Sequence, residues 1–149
     1  MTATDDATLI ERTLERMAEA TDDITPQVYE AFFSMRPDAK ELFGATFDMG
    51  RGRMLNDVFM TLLDQANGKT YLDYTLQSYV GDHDSIGVKS MSMYKDFLAA
   101  LRTTISDVLG SSWPQDEKEA FNRHCDLMNV HLLRAEQILI DTNVISKKR

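Results

Sequence analysis

A histidine at the end of an apolar helical row is the side chain in this sequence best placed to do chemistry. Leu72, Leu76 and Val80 recur every four residues, Tyr79 lies beside Val80, and His83 follows Val80 by three residues. This spacing places the side chains on one face of a helix. An imidazole on a buried face is either a core histidine with a satisfied hydrogen bond or a metal ligand. Taken alone, the spacing favours the core histidine and keeps the metal ligand as the alternative.

The length and composition are typical of one globular domain with room for an internal pocket. A chain of 149 residues typically buries about 70% of the surface that its unfolded form exposes. The hydrophobic fraction of 43% and the charged fraction of 27% are ordinary for a globular protein. The net charge of −8 argues against binding to nucleic acid or anionic lipid, since both need clustered basic residues. We therefore expect neither as a partner.

The cysteine count and the two ends of the sequence indicate a cytoplasmic protein. The one cysteine, Cys125, excludes an intramolecular disulfide and a zinc site built from cysteines, and we expect it to be a small buried helical residue. The first residues are acidic without an apolar segment, so no signal peptide is expected, and no 18-residue apolar run predicts a membrane span. The basic residues at the end predict a short disordered tail at about 143–149.

Every long segment of the sequence has the apolar spacing of a helix, which predicts an all-α fold of about six main helices plus short turns. Thr25-Pro26 is expected to start the second helix with Thr25 as the N-cap, and Asn67-Gly68 to end a helix in a left-handed cap. Residues 44–52, which contain three glycines, are expected to form a loop. The predicted helices cover about residues 5–19, 25–35, a short turn to 43, 51–66, 71–84, 91–109 and 114–140.

Three groups of residues, in this order along an all-helical chain, resemble the globin family over about residues 5–141. The groups are Tyr29, Phe33, Pro37 and Phe43; then His83, Gly87, Val88 and Tyr94; then Leu109, Gly110, Trp113 and Pro114. The chain is most similar to bacterial single-domain globins and to the haem domain of flavohaemoglobins, because Tyr29, Tyr94 and Glu136 match residues of that subgroup. The resemblance implies that residues 1–149 form one globin domain around a haem pocket.

The resemblance also implies a set of reactive residues around haem b. His83 would be the proximal ligand of the haem iron. Its other ring nitrogen would donate to a nearby backbone carbonyl by default, with Tyr94 and Glu136 as additional partners that tune the iron. Tyr29 would donate a hydrogen bond to an oxygen ligand. For Glu136, an outward position towards solvent is the alternative.

Two neighbouring residues, Arg53 and Met54, are candidates for the position above the haem iron. Globins commonly place histidine or glutamine there, and this chain has neither in 50–57. Counting from Phe43 suggests Arg53, whereas Met54 is preferred because it shares a helical face with Val58. Arg51 or Arg53 would reach a haem propionate, with solvated arginines as the alternative. The expected cofactor-binding residues are Phe43, Phe47, Arg51, Arg53, Met54, Val58, Tyr79, Val80, Val88, Tyr94 and Phe97.

The function that the resemblance implies is reversible binding of oxygen and related diatomic gases, NO and CO. Nitric oxide dioxygenation or a peroxidase-like activity is compatible with the same residues, and would need electrons from a separate reductase, because the 149 residues contain no flavin or nicotinamide domain. A haem-based sensor that acts through a partner and a haem-free globin-like interaction module are the alternatives. The protein is expected to be a monomer or a homodimer formed through its last two helices.

Overall fold

The computed structural model describes residues 5–43 and 48–146, and within these ranges the chain is helical without a β-strand. The all-α fold with six main helices and one short one is thereby confirmed for the described residues. The helices are α1 (Asp6–Ala20), α2 (Thr25–Met35), α3 (Pro37–Phe43), α4 (Asp48–Ala66), α5 (Leu72–Ser85), α6 (Met91–Leu109) and α7 (Gln115–Asp141), with a 3-10 turn at Gly110–Ser112 between the last two. None of these helices has the length and apolarity required to cross a membrane.

An aspartate caps the first helix, and another aspartate precedes the second. The Asp5 carboxylate accepts a hydrogen bond from the Thr8 N–H at 2.8 Å, as expected for an N-cap. Thr25 is not the N-cap of α2 but its first residue, and Ile24 precedes it. The expectation for Thr25 was wrong because the Asp23 carboxylate, two residues earlier, accepts the hydrogen bond from the Thr25 N–H at 2.9 Å.

Helix α4 begins earlier than the glycines suggested. It starts at Asp48, so the second half of the expected 44–52 loop is helical, and residues 44–47 lie outside the described part. Glycine inside a helix costs only about 0.5–1 kcal/mol relative to alanine. That cost is smaller than the gain from burying the apolar face of α4, where Leu55 and Leu62 are buried. The expected left-handed cap at Gly68 is confirmed, with φ of +67°.

The core is built around the long helix α7. Its buried row contacts α1, α4, α5 and α6, while α2 packs against α6. The inward row predicted from the sequence is buried in full and consists of Phe121, Met128, Leu132, Ala135 and Leu139. Cys125 belongs to the same face and is buried, as expected, and this burial raises the pKa of its thiol to about 12.

The chain after α7 is packed further than expected. Asn143 adopts a left-handed φ of 62°, which turns the chain back. The Val144 N–H then donates to the Leu139 carbonyl at 2.8 Å, and Ile145 is buried in the core. The packed part of the chain therefore extends at least to Ile145, into the region where a disordered tail was expected.

Candidate functional site

A cavity of about 430 Å³ lies among helices α2 to α7. Its volume falls in the range of roughly 300–1,000 Å³ that is usual for sites of small ligands and cofactors. Its apolar wall consists of Phe32, Leu42, Phe43, Met54, Val58, Ile86, Val88, Met93, Phe97, Leu98, Met128 and Leu132. The polar wall residues are Arg53, Asp57, Tyr79, Asp82, His83 and Tyr94. A largely apolar cavity with few polar groups is suited to a mostly apolar ligand that is oriented by specific contacts.

The orientation of the His83 ring is fixed from within its own helix. The His83 Nδ1–H donates to the Tyr79 carbonyl at 2.7 Å, so the expected backbone carbonyl partner is confirmed. In a neutral imidazole this leaves Nε2 as the nitrogen with the lone pair. Histidines that ligate metals are commonly held in this way through their other ring nitrogen.

The metal chemistry open to His83 is restricted by its surroundings. In the ranges 5–43 and 48–146, no three histidine, cysteine, aspartate or glutamate side chains come together as a metal site. Among these residues, His83 is therefore not part of a cluster of protein ligands that could hold a metal ion without other groups. A haem supplies metal ligands from its porphyrin nitrogens and takes one axial bond from a protein imidazole.

A tight turn after α5 places Val88 against the cavity below His83. Gly87 has φ of +106°, and the Val88 N–H donates to the His83 carbonyl at 2.9 Å. A side chain at Gly87 would be strained at this φ. Its Cβ would also lie only 3.2 Å from Leu42 Cδ2, so the glycine allows α3 to approach the turn closely.

Tyr94 is the nearest aromatic neighbour of His83 recorded in the described chain. The two ring centroids are 5.5 Å apart with an interplanar angle of 86°, and the Tyr94 hydroxyl oxygen is buried. Tyr94 therefore lies beside His83, where the sequence analysis expected it. Glu136, the third expected member of this group, is half-buried on α7 and is not part of the cavity wall.

Tyr29 lies behind the cavity wall. Its ring is buried and makes edge contacts with two wall residues, Phe43 at 5.2 Å and Phe97 at 5.6 Å between centroids. Its hydroxyl donates to the Arg51 carbonyl at 3.2 Å. Burial raises the pKa of Tyr29, which keeps the hydroxyl protonated and able to donate. In this arrangement the donor expected to contact a ligand is used by the backbone.

The two candidate arginines occupy different places. The Arg51 guanidinium carbon lies 5.2 Å from the Phe33 ring centroid, 5.6 Å from Tyr29 and 5.8 Å from Phe43, so it is surrounded by aromatic faces and is not part of the wall. Arg53 is exposed and lines the cavity, whereas the adjacent Met54 is half-buried and lines it more deeply. Only Arg53 is therefore placed to meet an anionic group at the mouth.

Much of the cavity wall, but not all of it, was predicted from the sequence. The expected residues found on the wall are Phe43, Arg53, Met54, Val58, Tyr79, His83, Val88, Tyr94 and Phe97. Val80 is buried in the core instead, and Phe47 lies outside the described residues. Met128 and Leu132 were recognised as an inward row of α7 without being assigned to a site. Asp57 and Asp82 were missed, since no apolar pattern marks acidic residues at a cavity mouth.

The other two histidines belong to a separate polar cluster that joins α1, α4 and α7. His124 Nε2 lies 2.9 Å from Asp6 Oδ2, and its Nδ1 lies 2.9 Å from Gln65 Nε2. The His131 Nδ1–H donates to Gln65 Oε1 at 3.1 Å. Burial, assisted by the charge of Arg134, lowers the pKa of His131. These histidines hold helices together, as their spacing suggested, and lie off the cavity wall.

Comparison of the sequence with protein-family models finds no match, and comparison with curated proteins finds none either.

Proposed function

We propose that this chain is a haem protein of the globin type that binds small diatomic gases, with His83 as the axial ligand of haem b. The observation that carries the proposal is the single imidazole on the wall of an apolar cavity, oriented by the Tyr79 carbonyl at 2.7 Å. The order of the helices and the position of His83 at the end of α5 agree with the resemblance to globins noted in the sequence. Bound there, haem would supply an iron centre for oxygen, NO and CO.

The residues of the cavity fit the parts of a haem. Side chains such as Phe43, Phe97 and Leu98 provide apolar contact for a flat macrocycle and keep water away from it. The exposed Arg53 at the mouth provides a cation for a propionate group. The Tyr79 carbonyl holds the proton on Nδ1 of His83 and directs the lone pair of Nε2 away from it. These residues bind and orient the group.

The test of this proposal is the absorption spectrum of the purified, haem-supplied protein in the ferric, ferrous and carbon monoxide forms. We expect a strong Soret band that shifts with carbon monoxide, and its loss or alteration in His83→Ala. His131→Ala is the matched control, because His131 hydrogen-bonds Gln65 outside the cavity. A wild-type protein that takes up no haem would refute the proposal. A spectrum unchanged in His83→Ala would refute the role of His83.

The enzymatic form of this proposal is nitric oxide dioxygenation. It is supported by the position of Tyr94, whose ring lies 5.5 Å from that of His83 and whose hydroxyl oxygen is buried, since a polar group next to an axial histidine would tune its donation to iron. Turnover would require electrons from a separate reductase. NO consumption by the haem-loaded protein with a flavin reductase, compared with Tyr94→Phe, tests it. A rate no higher than that of the reductase alone would contradict the enzymatic form.

A haem-based sensor is the second candidate, and the packing of α5 on α7 favours it. The helix that carries His83 packs on α7, and Gly81 faces Leu139 with room for ordinary contact. In the sensor, a shift of His83 on gas binding would act on α7 through this packing. A change in the association state of the protein when carbon monoxide binds would support the sensor, and an unchanged association state would favour simple binding.

A further inference from the structure

The outer face of α7 carries a row of exposed apolar side chains. Leu127, Val130 and Leu133 follow one another at steps of three residues and are 40%, 53% and 52% exposed. They lie on the side of the helix opposite to the buried row that includes Met128 and Leu132. Isolated exposed apolar residues are common, but a contiguous row of them marks a surface for contact with another molecule.

This row belongs to α7 alone. In α6 (Met91–Leu109), none of the large hydrophobic side chains is exposed, because they are directed into the core. An interface that used these apolar side chains would therefore be formed by α7, and α6 would lie behind it.

The outer face of α7 is complementary to itself around Val130. Asp126 and Arg134 each lie four residues from Val130, and Leu127 and Leu133 each lie three residues from it. We propose that this face binds a second copy of the same chain, with the two α7 helices antiparallel and related by a two-fold axis at Val130. Each residue then lies at the level of the residue equally far on the other side of Val130 in the partner. Leu127 of one copy then lies level with Leu133 of the other, and Asp126 of one copy lies level with Arg134 of the other.

The charges select the antiparallel arrangement. The Asp126 side chain is 72% exposed and is held by Arg102 of its own chain at 2.7 Å, so its carboxylate is fixed on the outer face. Arg134 is exposed, and the described part of the chain offers it no acidic partner within ion-pair distance. In a parallel pair, each Asp126 would face its own copy and each Arg134 would do the same, which costs free energy through like-charge repulsion.

The size of the surface predicts a weak dimer. Stable interfaces bury about 1,200–2,000 Å² in total, and a single helix face with three exposed apolar residues lies below that range. We therefore expect a concentration-dependent equilibrium between monomer and dimer. It should appear in sedimentation velocity of the full chain at protein concentrations up to about 1 mM.

The first test compares two matched substitutions of exposed apolar residues. Val130→Glu places two carboxylates at the two-fold axis and should weaken the dimer by about tenfold or more. Met60→Glu is the control, because Met60 is 50% exposed on α4 and is not part of the α7 row, and it should leave the dimer unchanged. A wild-type protein that stays monomeric throughout the concentration series, or a dimer that survives Val130→Glu, overturns the proposal.

The second test exchanges the charges, and helical circular dichroism shows whether each variant is folded. Arg134→Glu and Asp126→Lys should each weaken the dimer, because each places like charges at the same level across the axis. An equimolar mixture of the two variants restores opposite charges at both levels and should form a heterodimer. If each variant keeps its helical circular dichroism but the mixture does not associate, the antiparallel pairing is wrong. The outcome is separate from haem uptake, which the absorption spectrum reports.

Discussion

Two glycines near the cavity should respond in opposite ways to the same substitution. Gly87 has φ of +106° in the turn after His83, and an added Cβ would lie 3.2 Å from Leu42 Cδ2. Gly52 lies inside α4 with an ordinary helical backbone, and an added Cβ would meet nothing within 4 Å. Replacement by alanine therefore tests the turn that positions His83 against a matched site in the same protein.

The expected magnitudes follow from the two backbone conformations. At Gly52, alanine should stabilise the protein by about 0.5–1 kcal/mol, since glycine inside a helix is unfavourable by that amount. At Gly87, an L-residue in the left-handed region costs about 1–2 kcal/mol. The loss of unfolded-state entropy returns about 0.4–1 kcal/mol, and the contact with Leu42 adds to the cost. Gly87→Ala should thus destabilise by about 1 kcal/mol, and the two variants should differ by about 2 kcal/mol.

Urea unfolding monitored by circular dichroism measures both free energies on the same helical signal. The slope of the free energy with urea should be unchanged, because neither substitution alters the surface exposed on unfolding. If Gly87→Ala is as stable as the wild type or more stable, the left-handed turn after His83 is wrong. If both alanine variants lose stability equally, the φ of the two glycines does not distinguish the sites and the reasoning is refuted.

Two further predictions concern buried hydroxyl and thiol groups. In the haem-loaded protein, Tyr29→Phe should raise the oxygen dissociation rate by no more than about tenfold, because the hydroxyl must leave the Arg51 carbonyl before it can provide the roughly 1.5–3 kcal/mol of a bond to a charged acceptor. Stopped-flow exchange against carbon monoxide measures it, and a hundredfold rise would contradict it. Burial raises the pKa of Cys125 to about 12, above about 8.5 for an exposed thiol, so the native state keeps a proton that the unfolded chain loses. The free energy of unfolding should therefore fall by up to about 1.4 kcal/mol per pH unit between these values. Urea unfolding at pH 8 to 11 should show a smaller loss in Cys125→Ala, and equal slopes would contradict the assignment.

The elements that could be predicted from the sequence are those with a long, regular apolar spacing. The bounds of α6 and the buried row of α7 are as expected, because helices of 19 and 27 residues repeat their apolar face over many turns. The start of α4 was predicted too late in the sequence. Glycine is frequent in loops, but Gly50 and Gly52 each cost only a small amount of free energy inside the helix. Helix ends depend on small free-energy differences that spacing does not reveal.

The sequence could predict which helical face each site residue lies on, but not whether its side chain reaches the cavity or is covered by other side chains. The spacing of α5 predicted that His83 shares the inward helical face, and the structure shows His83 on the cavity wall with its Nδ1–H on the Tyr79 carbonyl. It could not show that Val80, on the same face, is covered by the core. In the same way, Tyr29 lies on the inward face of α2, but the rings of Phe43 and Phe97 stand between it and the cavity. Such layering depends on side chains from other helices.

The depth of Tyr29 changes what the proposed site can do. With its hydroxyl on the Arg51 carbonyl, the part of α4 on the wall offers Met54 and Val58 as apolar surface and Arg53 at the exposed mouth. If haem is bound as proposed, Met54 and Val58 would meet a diatomic ligand as apolar surface and would give no hydrogen bond to one that gains negative charge. Oxygen gains more from such a bond than carbon monoxide does, since the bond strengthens with the charge on the acceptor. If the proposed haem is bound, we therefore expect carbon monoxide to be favoured over oxygen as long as the Tyr29 hydroxyl stays on the Arg51 carbonyl. Movement of Tyr29 from Arg51 to the cavity would be the step that converts the site to stable oxygen binding.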